Sequence, residues 1–359
     1  MRMPTSTSVC VGLQRERFRA YRLTLPPCAA VLFIVFALLV PPASADDATS
    51  CREAKGDAQI TACSQAIASG KFKGDDLAEL YVTRGDANFF KGEYDRAVKD
   101  YDQATRLDPK NAPAFNGRGM VRAATLDYDL ALKEYDQAIR LDPGYAWAFA
   151  NRGEVYRLKS DYDRAIEDYD RAIQMFPSYA WALSGRGEAY RSKGEYDRAI
   201  KDFDQAIQTD PNDSFSLIGR AMTRLAMKQY DGAVADYADV IRLYPTNADA
   251  WNGRCYVLAV MGRAKEALPD CEKAVRLDPS NAQALDSRGF VKLRLGLLDE
   301  AIADYDAALN LAPKLAESLY GGGLAKTHKG DTDGGRADIA AAKELRPDIA
   351  ERFAGYGVK

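Results

Sequence analysis

Histidine, tryptophan and cysteine are scarce in this chain: one, three and six of 359 residues. The single imidazole, His328, leaves nothing to pair with it on a metal, and no CxxC offers thiolates instead, so no metal site and no cofactor is expected. GxSxG and the glycine-rich phosphate loop are missing too, and no insertion breaks the pattern described below to house a pocket. An enzyme is not the expected reading. Positive charge is not in excess either, with 49 Lys and Arg against 52 Asp and Glu.

Long apolar runs are confined to Ala29–Val40, 12 residues where a membrane span needs about 20. Arg2, Arg15, Arg17, Arg19 and Arg22 precede that run, and Ala43-Ser44-Ala45 follows it. Basic, apolar and small-residue regions in that order read as a secretory signal over 1–45, cleaved before Asp46. An uncleaved anchor is the other reading. The expected location is the periplasm, with no membrane span once the signal is removed. The leader holds five of the 49 basic and one of the 52 acidic residues, leaving 44 against 51 and a net charge of about −7. Nucleic acid and anionic membrane surfaces call for a basic face, so neither is the expected partner.

What the chain does have is a period of 34. Of ten prolines after residue 45, eight hold that spacing: Pro109, Pro143, Pro177, Pro211, Pro245, Pro279, Pro313 and Pro347. With each set at position 32, repeats run 78–111, 112–145, 146–179, 180–213, 214–247, 248–281, 282–315 and 316–349. Position 20 is alanine from Ala97 to Ala301, with Gly335 last, and position 24 is mostly aromatic, as in Tyr101, Tyr135, Tyr169, Phe203, Tyr237 and Tyr305. At roughly 100° per residue, positions 4, 7, 8 and 11 share one helical face, and 20, 24, 27 and 28 share a face of a second helix. Glycines such as Gly92, Gly194, Gly262 and Gly296 break the chain between the two helices, and the proline ends the second. A lone 34-residue hairpin cannot bury enough apolar surface to offset its ordering entropy, so hairpins must stack.

Small residues at 8, 20 and 27, an aromatic at 24 and proline at 32 resemble the tetratricopeptide repeat over 78–349. The resemblance implies an all-α solenoid, a right-handed superhelix of eight antiparallel helix pairs. It also implies a concave groove, lined by the first helix of each pair, that holds protein or peptide partners. Residues 46–77 read as a degenerate N-terminal helical cap of two short helices about Gly56-Asp57, and 350–359 as a C-terminal tail. Pro269, inside the second helix of the sixth repeat, is expected to tilt that helix or shift its start.

Three sets of residues stand out. Cys51 and Cys63 lie equidistant from one expected turn, and Cys255 and Cys271 from another, which places each pair face to face in an antiparallel hairpin. In an exported chain they read as two disulfides; in the other reading Cys255 and Cys271 are small core residues. Position 7 carries Arg84, Arg118, Arg152, Arg186, Arg220, Arg254 and Arg288, and position 23 is acidic throughout, including Glu134, Asp168, Asp202 and Asp236. Both rows flank buried faces, so structural ion pairs are favoured over a phosphate-binding row. On the face opposite the core, Trp147, Trp181 and Phe215 occupy position 2. Glu154 and Glu188 occupy position 9, and Arg157 and Arg191 position 12. Met222, Tyr256 and Phe290 continue position 9 as an apolar stretch, with Leu324. Aromatic anchors beside charges suit a partner-binding groove, while the other reading packs them on the preceding helix. The Asn and Lys pairs with which some members of the family clamp a C-terminal carboxylate are matched only by isolated Asn116, Asn151 and Asn252. Two functions follow: a non-catalytic protein-interaction scaffold, or a glycan- or peptidoglycan-binding module that stacks sugars on Trp147 and Trp181.

Overall fold

A computed structural model describes residues 43–358. The leader expected over 1–45 lies outside the described residues up to 42, and so do its basic and apolar segments. Among the described residues no helix is long and apolar enough to cross a membrane.

Nineteen helices and no strand make up the described chain, an α-solenoid of paired helices. They fall into two compact units, one ending at Glu195 and the other beginning at Tyr196. The first holds α1 (Ala43–Glu53), α2 (Asp57–Ala68), α3 (Gly74–Lys91), α4 (Tyr94–Leu107), α5 (Ala112–Ala124), α6 (Tyr128–Leu141), α7 (Ala146–Leu158), α8 (Tyr162–Met175) and α9 (Ala180–Lys193). The second holds α10 (Tyr196–Thr209), α11 (Ser214–Ala226), α12 (Tyr230–Leu243), α13 (Ala248–Val260), α14 (Ala264–Leu277), α15 (Ala282–Arg294), α16 (Leu298–Leu311), α17 (Ala316–Lys329), α18 (Thr332–Leu345) and α19 (Ile349–Gly355). Within each unit the first helices of successive pairs also touch one another, as α5 touches α7 and α13 touches α15, so they form a continuous inner layer.

Local chemistry sets the helix ends. The residue before each proline cannot stay helical, because the pyrrolidine ring crowds its backbone. Asp108, Asp142, Phe176, Asp278 and Arg346 accordingly have φ between −131° and −145°. Asn111, Asp213, Asn247 and Asn281, two residues beyond the proline, then cap the next helix by accepting its free N–H groups. The turn inside each pair needs one residue with positive φ at position 15. Gly92, Gly194, Gly262, Gly296 and Gly330 supply it cheaply, but Leu126, Ser160 and Lys228 hold the same conformation at φ 60° to 65°.

Two local departures have plain causes. α3 starts at Gly74, four residues ahead of Ala78, because Asp75 stands where a proline would cut the chain. Pro269 does not shift the start of α14, which begins at Ala264 in register with Tyr230 of the preceding repeat; the ring sits at the sixth helical residue and forfeits a single backbone bond.

The core is built on position 24. Tyr101, Tyr135, Tyr169, Phe203 and Tyr305 are fully buried, each beside the alanine at position 20. Their rings occupy space vacated by glycine. A Cβ on Gly85 would come 2.8 Å from the Tyr101 ring, and one on Gly117, in the next repeat, 2.3 Å from the same ring. Gly119 and Tyr135, Gly219 and Phe203, Gly253 and Tyr237, and Gly321 and Tyr305 repeat this contact. In the sixth repeat the slot is filled differently. Cys255 and Cys271, at the glycine and tyrosine positions, form a disulfide with Cα atoms 5.3 Å apart, and position 6 of the following repeat is Ser287. Cys51 and Cys63 form the second disulfide, at 4.5 Å, between α1 and α2.

Candidate functional site

The arginines of position 7 lie at the seam between repeats. Arg152 reaches Asp168 of its own repeat at 2.7 Å and Asp136 of the preceding one at 2.6 Å. Arg118 bridges Glu134 at 2.7 Å and Asp102 at 3.0 Å, and Arg220 bridges Asp236 and Asp204, both at 2.6 Å. Arg186 meets Asp170 at 2.5 Å. Burial works against the Arg118, Arg152 and Arg220 cations, yet the flanking carboxylates more than compensate and raise all three pKa values. The second acidic row, at position 25, is invisible to a reading that pairs the helices of one repeat. In the eighth repeat, where position 7 is Gly322, Lys326 takes over and meets Asp338 at 2.8 Å. Arg118, Arg152 and Arg220 are thus each committed on both sides, which leaves them poorly placed to bind a phosphate.

In the first unit the inner layer presents Trp147 on α7 and Trp181 on α9. The Tyr179 ring stands between them, 5.1 Å from Trp147 and 5.9 Å from Trp181. Trp147 is half-buried, whereas Trp181 is only 3% exposed and packs with Ala146, Ala150 and Tyr169. A sugar cannot stack on an indole so enclosed, so Trp181 is not a glycan platform. The charged neighbours are organised from within. Glu154, 4% exposed, accepts two hydrogen bonds of 2.8 Å from Arg157 and one of 2.7 Å from the Tyr169 hydroxyl. Arg157 is desolvated, but Glu154, with Tyr169 and Glu188 nearby, holds its pKa well above normal. Glu188 and Arg191 repeat the pairing on α9. Asn151 donates to Asn116 Oδ1 at 2.8 Å, and its own Oδ1 is buried with no hydrogen-bond partner among the described residues.

In the second unit Phe215 on α11 and Met222 are half-buried, the latter packed among Leu217, Ala221 and Tyr237. Tyr256 on α13 and Phe290 on α15 have a different neighbour, the end of the chain. Phe290 lies 5.6 Å from Phe353 and 5.9 Å from Tyr356, and Tyr320 on α17 lies 4.8 Å from Phe353. The Tyr256 hydroxyl donates to that of Tyr356 at 3.0 Å, and Arg294 donates to the Tyr356 carbonyl. Glu317 pairs with Arg346 and Arg352, and Ser318 donates to Asp286 at 2.6 Å. Burial pushes the Asp286 carboxyl up to about 7, against the pull of Ser318 and of Arg352. Among the described residues no group of three or more His, Cys, Asp and Glu side chains could hold a metal ion.

A tetratricopeptide repeat family model matches residues 82–146, 151–214 and 218–282, and two further models of the same description match 134–167 and 282–315. No curated protein matches the sequence significantly. Among solved structures, a chain of the APC/C hetero-tetramer Cut9-Hcn1 is 13% identical, with a TM-score of 0.64 over 78% of this chain. The alignment covers 54% of that chain, so this protein spans about half its length. A tetratricopeptide repeat protein from Parabacteroides merdae is 19% identical, with a TM-score of 0.52 over 74% of this chain and 98% of its own. Pseudomonas aeruginosa pilF is also 19% identical, at 0.53 over 58% and 96%. At such identities these structures attest the fold alone.

Proposed function

Because the chain belongs to the tetratricopeptide repeat family, we propose that it is an exported, non-catalytic scaffold that binds protein or peptide partners on the inner layer formed by the first helix of each pair. The observation that carries this reading is the face of α7 in the first unit. There half-buried Trp147 offers an aromatic anchor on the same helical face as the hydrogen-bonded Glu154 and Arg157. Glu154 and Arg157 are pinned by their mutual hydrogen bonds, so this face is preorganised and a guest meets little ordering cost. The arginine and acidic rows are structural: they fix how one repeat sits on the next, with more value for register than for stability.

Export rests on the order of segments in the leader and on two disulfides, which persist in oxidising compartments. The repeat boundaries at 34-residue spacing and the N-terminal cap over 46–77 belong to the same proposal. The glycan reading needs two accessible indole faces, and the burial of Trp181 removes one.

The test is a photo-crosslinking residue placed at position 147 of the exported chain in its own cell, followed by mass spectrometry. Covalent capture of a protein, together with a mature N-terminus at Asp46, is the expected result. A chain that retains its leader in the cytosol, or captures only glycan, contradicts it.

A further inference from the structure

On the inner layer of the second unit the segment 349–358 folds back on first helices of its own chain. Tyr256, Phe290 and Tyr320 come from three successive first helices, and Phe353 and Tyr356, three residues apart on one side of the tail, pack on them. Arg294 fixes the tail backbone through the Tyr356 carbonyl, and Glu317 takes the charge of Arg352. This seat therefore reads two aromatic rings at a spacing of three, one preceding arginine and a backbone carbonyl.

Beyond these contacts the tail is anchored at its start by Ile349, which is fully buried in the same core cluster, so the part that can be released is the stretch after it, with Phe353 and Tyr356. α19 has seven residues, well under the dozen or so an isolated helix needs in water. Gly355 ends it and Gly357 follows at φ 76°, so the segment has scant structure of its own when released.

We propose that the face formed by α13, α15 and α17 is a docking site for a segment of another protein with the character Arg-Phe-x-x-Tyr, and that the tail occupies it as an intramolecular competitor. This inference rests on the scaffold reading above and adds the chemistry and the regulation of one of its faces. A second copy of the chain is the weaker occupant, because its tail competes at solution concentration with one tethered next to the seat. The partner must bring aromatic and cationic groups that meet Tyr256, Phe290, Asp286 and Glu317.

The probe is a fluorescein-labelled peptide of the tail sequence, Pro347 to Lys359, titrated by anisotropy against the full mature chain. Phe353→Ser with Tyr356→Ser vacates the seat without shortening the protein. The vacated chain is expected to bind the peptide at least ~10-fold more tightly than the unaltered chain, and adding Tyr256→Ala is expected to abolish that gain. Equal binding by both chains, or binding that survives Tyr256→Ala, overturns the proposal. Hydrogen exchange on the unaltered chain tests it without substitution: amides of 350–358 are expected to exchange at least ~100-fold faster than those of α17, and equal protection contradicts a releasable tail. A dimer of the unaltered chain that the double substitution dissolves overturns it in favour of tail exchange between copies. Should peptide binding fail while capture at position 147 persists, this inference falls and the scaffold reading stands; lost capture with intact peptide binding gives the converse.

Discussion

Glycine at positions 6 and 8 acts here through the atoms it lacks. Gly117 sits mid-helix, where alanine would ordinarily stabilise by about 1 kcal/mol. Its Cβ would instead fall 2.3 Å from a fully buried tyrosine ring that Gly85 also borders. Gly117→Ala is therefore expected to destabilise by about 1 to 3 kcal/mol, read as a lower thermal midpoint with unchanged helix content. Asp286 gives a second prediction at this scale. Its pKa is raised in the folded protein, so the folded state binds the proton more readily than the unfolded chain. The resulting stability is complete below the unfolded value near 4 and is lost as pH rises through about 7. Calorimetry between pH 5 and 8 should show a midpoint that falls with pH, with a flatter slope in Asp286→Asn. An identical slope in both chains would contradict the assignment.

Among the elements, the hairpin turns carry a distributed strain. Leu126, exposed at the turn between α5 and α6, holds φ 65°, a conformation that costs an L-residue about 1 to 2 kcal/mol. Leu126→Gly relieves that cost against a gain in unfolded-chain entropy of up to about 1 kcal/mol. The expected net effect is a stabilisation below 1 kcal/mol, visible as a raised denaturation midpoint, and a clear loss would show that the leucine side chain matters more than its backbone. Helix order, the proline stops and the aromatic row were legible in the sequence because each recurs at 34 residues and follows from one local rule. The turn residues were only half legible. Gly92 and Gly194 announce positive φ, while Leu126, Ser160 and Lys228 adopt it because the flanking helices impose it. The acid row at position 25 escaped because its partner arginine belongs to the next repeat.

Across the whole molecule the two inner faces differ in availability. On one, Trp147 remains half-exposed; on the other, Phe353 and Tyr356 cover Phe290 and Tyr256. The cover could not be read from the sequence. Tyr256 and Tyr356 are 100 residues apart, outside any period, and a ten-residue tail carries no repeat to set its register. The burial of Trp181 was one of two readings the sequence left open, because position 2 marks a helical face but does not say which neighbour closes over it. Regular repeats thus disclose a scaffold and its arginine seam while concealing which part of its surface is vacant.

The central claim is that partners are held by the inner layer and that the arginine seam serves only the fold. Its most direct test is quantitative capture of partner protein in the cell by the unaltered chain, by Trp147→Ala and by Arg186→Leu, each confirmed folded by circular dichroism. Capture should fall at least ~10-fold with Trp147→Ala, as for loss of an aromatic anchor, and stay within about twofold with Arg186→Leu. Capture abolished by Arg186→Leu in a folded chain and untouched by Trp147→Ala would contradict the account.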